Sequence, residues 1–317
     1  MSTKIQWTGK TWNPIVGCSN ESPGCVNCYA KRIAWRLAHN DNPKIGSVYK
    51  GLTQRNGSIN WTGEVRFLPQ RLEEPFSWRN PTLVFADSMS DMFHDKVRFD
   101  WLDQIMAVMA LTPHTYQVPT KRPQNMLRYF QDRETAERIR FVIRNQFLNG
   151  HEDALLWSKN TTLPLPNLWL GVSTENQEQA DKRIPSLLET PAAVRFLSCE
   201  PLLGPIDLNC LHYKGLTNID CLRGEHGLWF DGECESVNWV IVGGESGPNA
   251  RKCQLDRIRS IVEQCRDAEV ACFVKQLGGN VWDGGKRLRL NDRKGGDPSE
   301  WPHDLRVREF PGGGVCH

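Results

Sequence analysis

Val194-Arg195-Phe196-Leu197-Ser198-Cys199-Glu200-Pro201 changes character halfway along. β-Branched and aromatic residues come first, then small and charged ones, and proline closes the run. This pattern reads as a buried strand that ends in a polar tip. The same pattern recurs along the chain. Leu83–Ala86 leads into Asp87-Ser88-Met89-Ser90-Asp91, 115–118 into Thr120-Lys121-Arg122, 168–172 into Ser173-Thr174-Glu175, and 237–242 into Gly243-Gly244-Glu245-Ser246. A sixth run is expected at 271–274. Residues 100–111, 123–132, 176–189 and 255–267 carry helical periodicity. Strands alternating with helices predict parallel βαβ units, in a doubly wound sheet or a barrel. A doubly wound sheet loads one crevice, whereas a barrel loads the carboxyl end of every strand. All five tips are polar, so the expected fold is α/β, a partial (β/α) barrel.

Composition narrows the function classes. The chain has 317 residues, a formal charge of +2 and 39% hydrophobic content, enough for a large core and far from a disordered or uniformly basic chain. No apolar run reaches the ~18 residues of a membrane span, and the N-terminal stretch has no apolar signal core. A cytoplasmic location is expected. Eleven cysteines, an odd number in a large chain of this kind, suggest metal binding or catalysis rather than a disulfide framework.

Three of those cysteines fall in Cys18-Ser-Asn-Glu-Ser-Pro-Gly-Cys25-Val-Asn-Cys28-Tyr29. Their surroundings are polar and turn-forming, so no hydrophobic pattern asks for them. Three thiolates on one loop suit a metal or cluster that keeps a position open. A zinc site completed by a distant ligand and a set of buried structural thiols are the alternatives. Behind the loop, Ala30, Ile33, Ala34, Leu37 and Ala38 recur at helical spacing, with Lys31, Arg32 and Arg36 on the other side. Residues 40–63 read as turn-rich, and 64–68 as a short strand.

The cysteine loop resembles that of the radical S-adenosylmethionine enzymes, although the usual spacing of three and then two intervening residues is six and then two here. More closely, the chain resembles an uncharacterised phage and bacterial three-cysteine-motif family related to those enzymes. Its matching stretches are Thr11-Trp12-Asn13-Pro14, Ser22-Pro23-Gly24-Cys25, Cys28-Tyr29-Ala30, Asp87–Asp91, Thr120-Lys121-Arg122-Pro123, Ser198-Cys199-Glu200-Pro201-Leu202 and Gly243-Gly244-Glu245-Ser246-Gly247. Residues 205–236 break the strand–helix rhythm and read as an insertion, and the Gly-, Arg- and Lys-rich 278–317 as an irregular or β-hairpin cap. The resemblance implies a partial barrel of the radical-SAM type over 1–277, with the cluster loop at 18–28. It also implies a [4Fe-4S] cluster on Cys18, Cys25 and Cys28, S-adenosyl-L-methionine on the open iron, an external electron donor, and a 5′-deoxyadenosyl radical that abstracts hydrogen from a substrate.

Side-chain alternation along the strands points Ser173, Glu175, Ser198, Glu200, Gln117 and Lys121 inward, and Leu197 and Cys199 toward helices. Ser88, Ser90, Lys121, Ser173, Glu175, Ser198 and Glu200, with Tyr29, Gly243, Gly244 and Glu245, form the candidate cofactor-binding set. Ordinary helix capping is the alternative for the serines, and a tight turn for the glycines. Lys121, Glu200 and Cys199 are the candidate catalytic groups, and Lys121 with Arg122 could bind a phosphate. Cys210, Cys221 and Cys234 in the insertion, with His212 and His226 nearby, are candidates for a second metal. The C-terminal Lys286, Arg287, Arg289, Arg293, Lys294, Arg306 and Arg308, interleaved with Trp282, Trp301 and Phe310, suit a nucleic-acid partner. The leading expectation is therefore a radical S-adenosylmethionine enzyme, with a nucleobase or nucleic acid as the possible substrate. Two other readings are a zinc-containing nucleic-acid-binding module and a metal-dependent hydrolase built on Asp87, Asp91, Glu175 and Glu200.

Overall fold

The computed structural model describes residues 3, 5–148, 154–213, 217–226 and 235–312. Seven strands form one sheet: β1 (Lys10–Trp12), β2 (Leu83–Ala86), β3 (Thr115–Thr120), β4 (Leu168–Ser173), β5 (Val194–Cys199), β6 (Trp239–Gly243) and β7 (Ala271–Gln276). Their order across the sheet is their order in the chain. β1 pairs parallel with β2 (Thr11 opposite Phe85) and β2 with β3 (Val84 opposite Tyr116). β5 pairs parallel with β6 (Leu197 opposite Val240), and β6 with β7 (Ile241 opposite Phe273). A doubly wound sheet reverses direction at a switch point, and this order never does. The sheet is therefore singly wound, consistent with the expected partial (β/α) barrel.

The chain divides into two compact units. The first comprises Met1–Leu170 with Thr190–Ala193, and the second Gly171–Glu189 with Val194–His317. In the first, helix α1 (Tyr29–Ala38) follows the cysteine loop. Its Ala30 and Ala34 are buried with Val16, Tyr49, Leu52, Trp61, Leu68 and Met89, and Ile33 and Leu37 pack against them. This is the face its periodicity predicts. Lys31, expected on the solvent side, is buried instead, and its Nζ donates to Asn60 Oδ1 at 3.2 Å. The cause is the hairpin Thr53–Asn56/Ser58–Trp61, which with a helix at Pro43–Tyr49 fills the stretch read as turns. Helix α2 (Phe99–Leu111) buries residues on nearly every side, from Leu102 to Ala110. Helix α3 (Pro123–Gln131) starts directly behind the tip of β3.

In the second unit, α4 (Gln177–Leu188) follows β4 and α5 (Leu255–Asp267) precedes β7. The described part of the insertion makes a small antiparallel sheet: Leu211–Tyr213, Thr217–Asp220 and Glu225–His226. Downstream, β8 (Val281–Asp283) and β9 (Lys286–Leu288) form the hairpin expected of the C-terminal segment. Among the described residues, no helix is long and apolar enough to cross a membrane.

Close packing fixes one residue inside the sheet. A Cβ on Gly171 would lie 2.6 Å from the Phe196 ring, which also tilts against Trp239 at 5.8 Å. Gly171→Ala should therefore overpack the core and cost about 1–3 kcal/mol, read as a lower urea midpoint with an unchanged slope. A variant as stable as the parent would show that the ring can give way.

Candidate functional site

The cysteine loop is held from both sides by backbone. After β1, Asp87 N–H donates to Trp12 O at 2.7 Å, and Asn13 Oδ1 accepts from Met89 N (2.9 Å) and Ser88 Oγ (3.1 Å). Gly17 then donates to Met89 O at 3.1 Å. It has a φ of +95°, and a Cβ there would sit 2.1 Å from Glu64 O. Only glycine fits that position. Gly63 N–H donates to Cys18 O at 3.2 Å. A short turn at Pro23–Cys25 carries the second thiol, and Cys28 sits just ahead of α1. Glu21 N–H points at Cys25 Sγ from 3.5 Å.

Arg122 is the charged neighbour of this loop, and its side chain is only 5% exposed. One guanidinium nitrogen donates to Asp91 Oδ2 at 3.0 Å and lies 4.0 Å from Cys18 Sγ. The other donates to Ser19 Oγ at 2.7 Å, and Glu21 Oε2 is 3.5 Å away. Asp91 also accepts from Thr120 Oγ1 (2.6 Å), Lys121 N (3.0 Å) and Phe93 N (3.1 Å). His94 Nδ1 accepts from Lys96 N at 3.1 Å, so its Nε2 carries the proton toward Ser19 Oγ at 2.9 Å. Burial first, then Arg122, hold His94 below its usual range. The tips of β2 and β3 thus grip the loop through one carboxylate and one guanidinium.

Burial, reinforced by the Asp91 charge and opposed by Arg122, pushes the Cys18 thiol up to about 12. Cys25 and Cys28 add to that rise, so the three sulfurs share one electrostatic neighbourhood. A thiol in such surroundings deprotonates only when a metal replaces the proton. Among the described residues, no three His, Cys, Asp or Glu side chains converge closely enough to hold a single metal ion. An iron–sulfur cluster does not require that convergence, because each thiolate binds its own iron. Three cysteine donors, with Cys25 buried and Cys18 and Cys28 half-buried beside the Arg122 guanidinium, are a donor set that a cluster could use.

The other predicted residues of the first unit are placed as follows. Tyr29 is 44% exposed at the start of α1, and its hydroxyl donates to Ser88 O at 3.0 Å. Asp87 is buried with a left-handed φ of +60°. Burial pushes its carboxyl well above the usual range, against pulls from the Ile15 N–H and Ser90. Arg122 was a candidate for phosphate binding, but its guanidinium is committed to Asp91 and Ser19.

In the second unit most polar tips are tied internally. Glu175 and Arg183 form a 2.9 Å ion pair at 0% and 1% exposure, and Arg183 also donates to Ser173 O at 2.7 Å. Glu245 accepts from Arg251 side chain at 2.6 Å and from its backbone N at 2.9 Å. The glycines answer to the neighbouring chain rather than to a ligand. A Cβ on Gly244 would meet Leu277 O at 2.1 Å, and one on Gly243 would meet Gln276 O at 2.9 Å. The tight approach of backbone to backbone explains both. Ser198 O accepts from Thr174 N at 3.0 Å. Glu200 is bound to two residues that were not anticipated, Lys275 (Nζ to Oε2, 2.6 Å) and Gln276 (Nε2 to Oε1, 3.0 Å). Lys275 ends an apolar run two strands away in the sheet, a relation that only topology reveals.

Cys199 faces the helix side, as its parity requires. It is fully buried, its sulfur meets Thr174 Oγ1 at 3.3 Å, and burial pushes its thiol up to about 12. Cys265 on α5 is a neighbour that adds to this rise. Cys221 is buried beside both Cys199 and Cys265, and burial raises it well above the ordinary range. Cys272 is raised by a bond to the Cys265 thiol and then by burial. Cys199, Cys221 and Cys272 are held above the ordinary thiol range and pack with the buried Cys265. Buried thiols of this kind are inert packing groups, so Cys199 is not positioned as a nucleophile. Cys221 thus belongs to this buried group, Cys210 is half-buried, and Cys234 lies outside the described residues.

A family profile described as "Protein of unknown function (DUF5131)" matches residues 2–300, and the chain belongs to that family. No curated protein and no solved structure matches it. Two substitutions separate the roles of the tip carboxylates. Asp91→Asn strips a buried arginine of its partner and should cost about 3 kcal/mol or more. Asp87→Asn removes a carboxyl whose ionisation burial already opposes and keeps a residue that tolerates a left-handed backbone, so it should lower the chemical denaturation midpoint far less than Asp91→Asn. Equal losses in both would mean that Asp87 is ionised in the fold.

Proposed function

We propose that this DUF5131 member is a radical S-adenosylmethionine enzyme in which Cys18, Cys25 and Cys28 hold a [4Fe-4S] cluster. The observation that carries this reading is the loop itself. Three thiols, Cys25 buried and Cys18 and Cys28 half-buried, share one electrostatic neighbourhood behind the first strand of a singly wound α/β sheet, with the Arg122 guanidinium 4.0 Å from Cys18 Sγ. When bound, such a cluster supplies the electron that cleaves S-adenosylmethionine to methionine and a 5′-deoxyadenosyl radical. An external electron donor is the partner this chemistry needs.

The chain's own residues supply placement and charge balance. Gly17 and Gly63 fix the Cys18 backbone, so the first thiol does not wander. Arg122 offsets the negative charge of three thiolates, and Asp91 keeps that guanidinium aimed. Tyr29, Ser88 and Ser90 line the β2 tip beside the loop as candidate hydrogen-bonding groups for the cofactor. In the second unit, the partly exposed Glu200 and Lys275, bonded to each other and backed by the buried Gln276, are the best remaining polar groups there for cofactor or substrate. Glu175 and Glu245 support the framework through Arg183 and Arg251 and contribute no free carboxylate. That commitment weakens the metal-dependent hydrolase reading, which needs several open carboxylates.

Anaerobic reconstitution with iron and sulfide should yield a brown protein with about four irons per chain. Replacing any one of Cys18, Cys25 or Cys28 with alanine should reduce the bound iron sharply. Reduction with dithionite in the presence of S-adenosylmethionine should release 5′-deoxyadenosine from the parent only. A colourless protein holding stoichiometric zinc under the same treatment would overturn the proposal in favour of the zinc-module reading.

A further inference from the structure

Residues 284–296 carry Lys286, Arg287, Arg289, Arg293 and Lys294 against the single carboxylate of Asp292, in a chain whose net charge is only +2. All five cations are exposed. Asp292 is itself occupied, accepting from Lys294 N at 3.1 Å and Gly296 N at 2.6 Å. The nearby acids are spent elsewhere. Asp256, Asp283 and Asp304 all pair with Arg259 of α5, at 3.1, 2.7 and 2.7 Å. No ion pair among the described residues joins any of the five.

These cations stand on an ordered support. Gly284 and Gly285, at φ +52° and +81°, make the tight turn of the β8–β9 hairpin, where two positive φ values match the strand twist. The Asp283–Arg259 pair fastens the hairpin to α5. Cross-strand register puts Trp282 opposite Arg287, and on its other side Gln254 opposite Trp282, so these three share a face. Lys252, two residues before Gln254, places its Nζ 4.1 Å from the Trp282 ring centroid. Val281 and Leu288 take the opposite face, where Val281 is 2% exposed. One face therefore presents an aromatic ring between two cations, next to further unneutralised positive charge.

We infer that this hairpin face binds single-stranded nucleic acid, with Trp282 stacking on a base and Lys252, Arg287, Arg289, Arg293 and Lys294 following the phosphates. An anionic membrane seats Trp rings that project into its interface, whereas Trp282 is half-buried with Lys252 over it, and an acidic protein would not need a stacking platform. A single strand uses both charge and ring, because its bases are free to leave the stack. The inference concerns the substrate class of the proposed enzyme, yet the binding step uses no residue of the cysteine loop.

The test uses the full-length protein and a fluorescein-labelled oligothymidylate, read by anisotropy across a salt series, with and without reconstituted iron. Affinity should fall linearly on logarithmic axes. Arg287→Gln and Arg293→Gln should each reduce the slope by roughly 0.7. Trp282→Ala should weaken binding by about 5- to 100-fold at every salt concentration while leaving the slope nearly unchanged. Circular dichroism melts of the two glutamine variants should match the parent, because Arg287 and Arg293 are exposed. Trp282 is half-buried, so Trp282→Phe, which keeps a stacking ring there, should retain most of the binding that Trp282→Ala loses. Absence of binding, indifference to Trp282→Ala, or equally effective competition by phosphatidylglycerol vesicles would overturn the inference. Because binding does not depend on iron, failure here would leave the cluster reading standing, and failure to form a cluster would leave this one standing.

Discussion

The carboxylate of Asp91 accepts four hydrogen bonds, and the first unit is organised around it. Two come from backbone amides, one from a threonine hydroxyl and one from a buried guanidinium. Neither charge could stay desolvated alone, because an unpaired buried ion costs several kcal/mol. The pair therefore fixes where the tips of β2 and β3 must lie. Arg122, once held, extends toward Ser19 and Cys18, so a structural ion pair becomes the electrostatic wall of the cysteine loop. Ser19 and His94 complete that wall with a directional chain of hydrogen bonds.

A polar strand tip can serve a ligand or the framework, and the second unit shows how the two are told apart. Glu175 with Arg183, and Glu245 with Arg251, satisfy each other inside the fold. Gly243 and Gly244 are glycines because neighbouring carbonyls occupy the space of a side chain. Glu200 and Lys275 differ in being partly exposed, while Gln276 beneath them is buried. Their mutual bonds leave one end of the cluster accessible, which is what a reacting or binding group requires.

Much of the architecture was legible in the sequence because period and punctuation are local properties. The six predicted strands and the helix behind Cys28 follow from alternation and from 3.6-residue spacing, whereas the glycine-rich C-terminal segment left irregular structure and a hairpin equally open. Residues 40–63 misled because Pro43, Gly51 and Gly57 read as turn formers, whereas Pro43 opens a helix and Gly57 turns a hairpin. That hairpin then covers Lys31, whose charge had promised exposure. Helical periodicity finds the buried face, but it does not reveal a second layer placed over the other one.

The sequence by itself determined the alternation of strands and helices, the polar tips and the three-cysteine loop, since each is written in consecutive residues. Only the tertiary structure decided which tip groups remain for chemistry. It paired Glu175 and Glu245 with arginines, gathered Cys199, Cys221, Cys265 and Cys272 into one buried group, and brought Lys275 to Glu200 and Arg122 to Cys18. Those partners are separated by up to 104 residues. A buried charge must find its counter-charge in space, and spacing along the chain carries no record of where that partner will be.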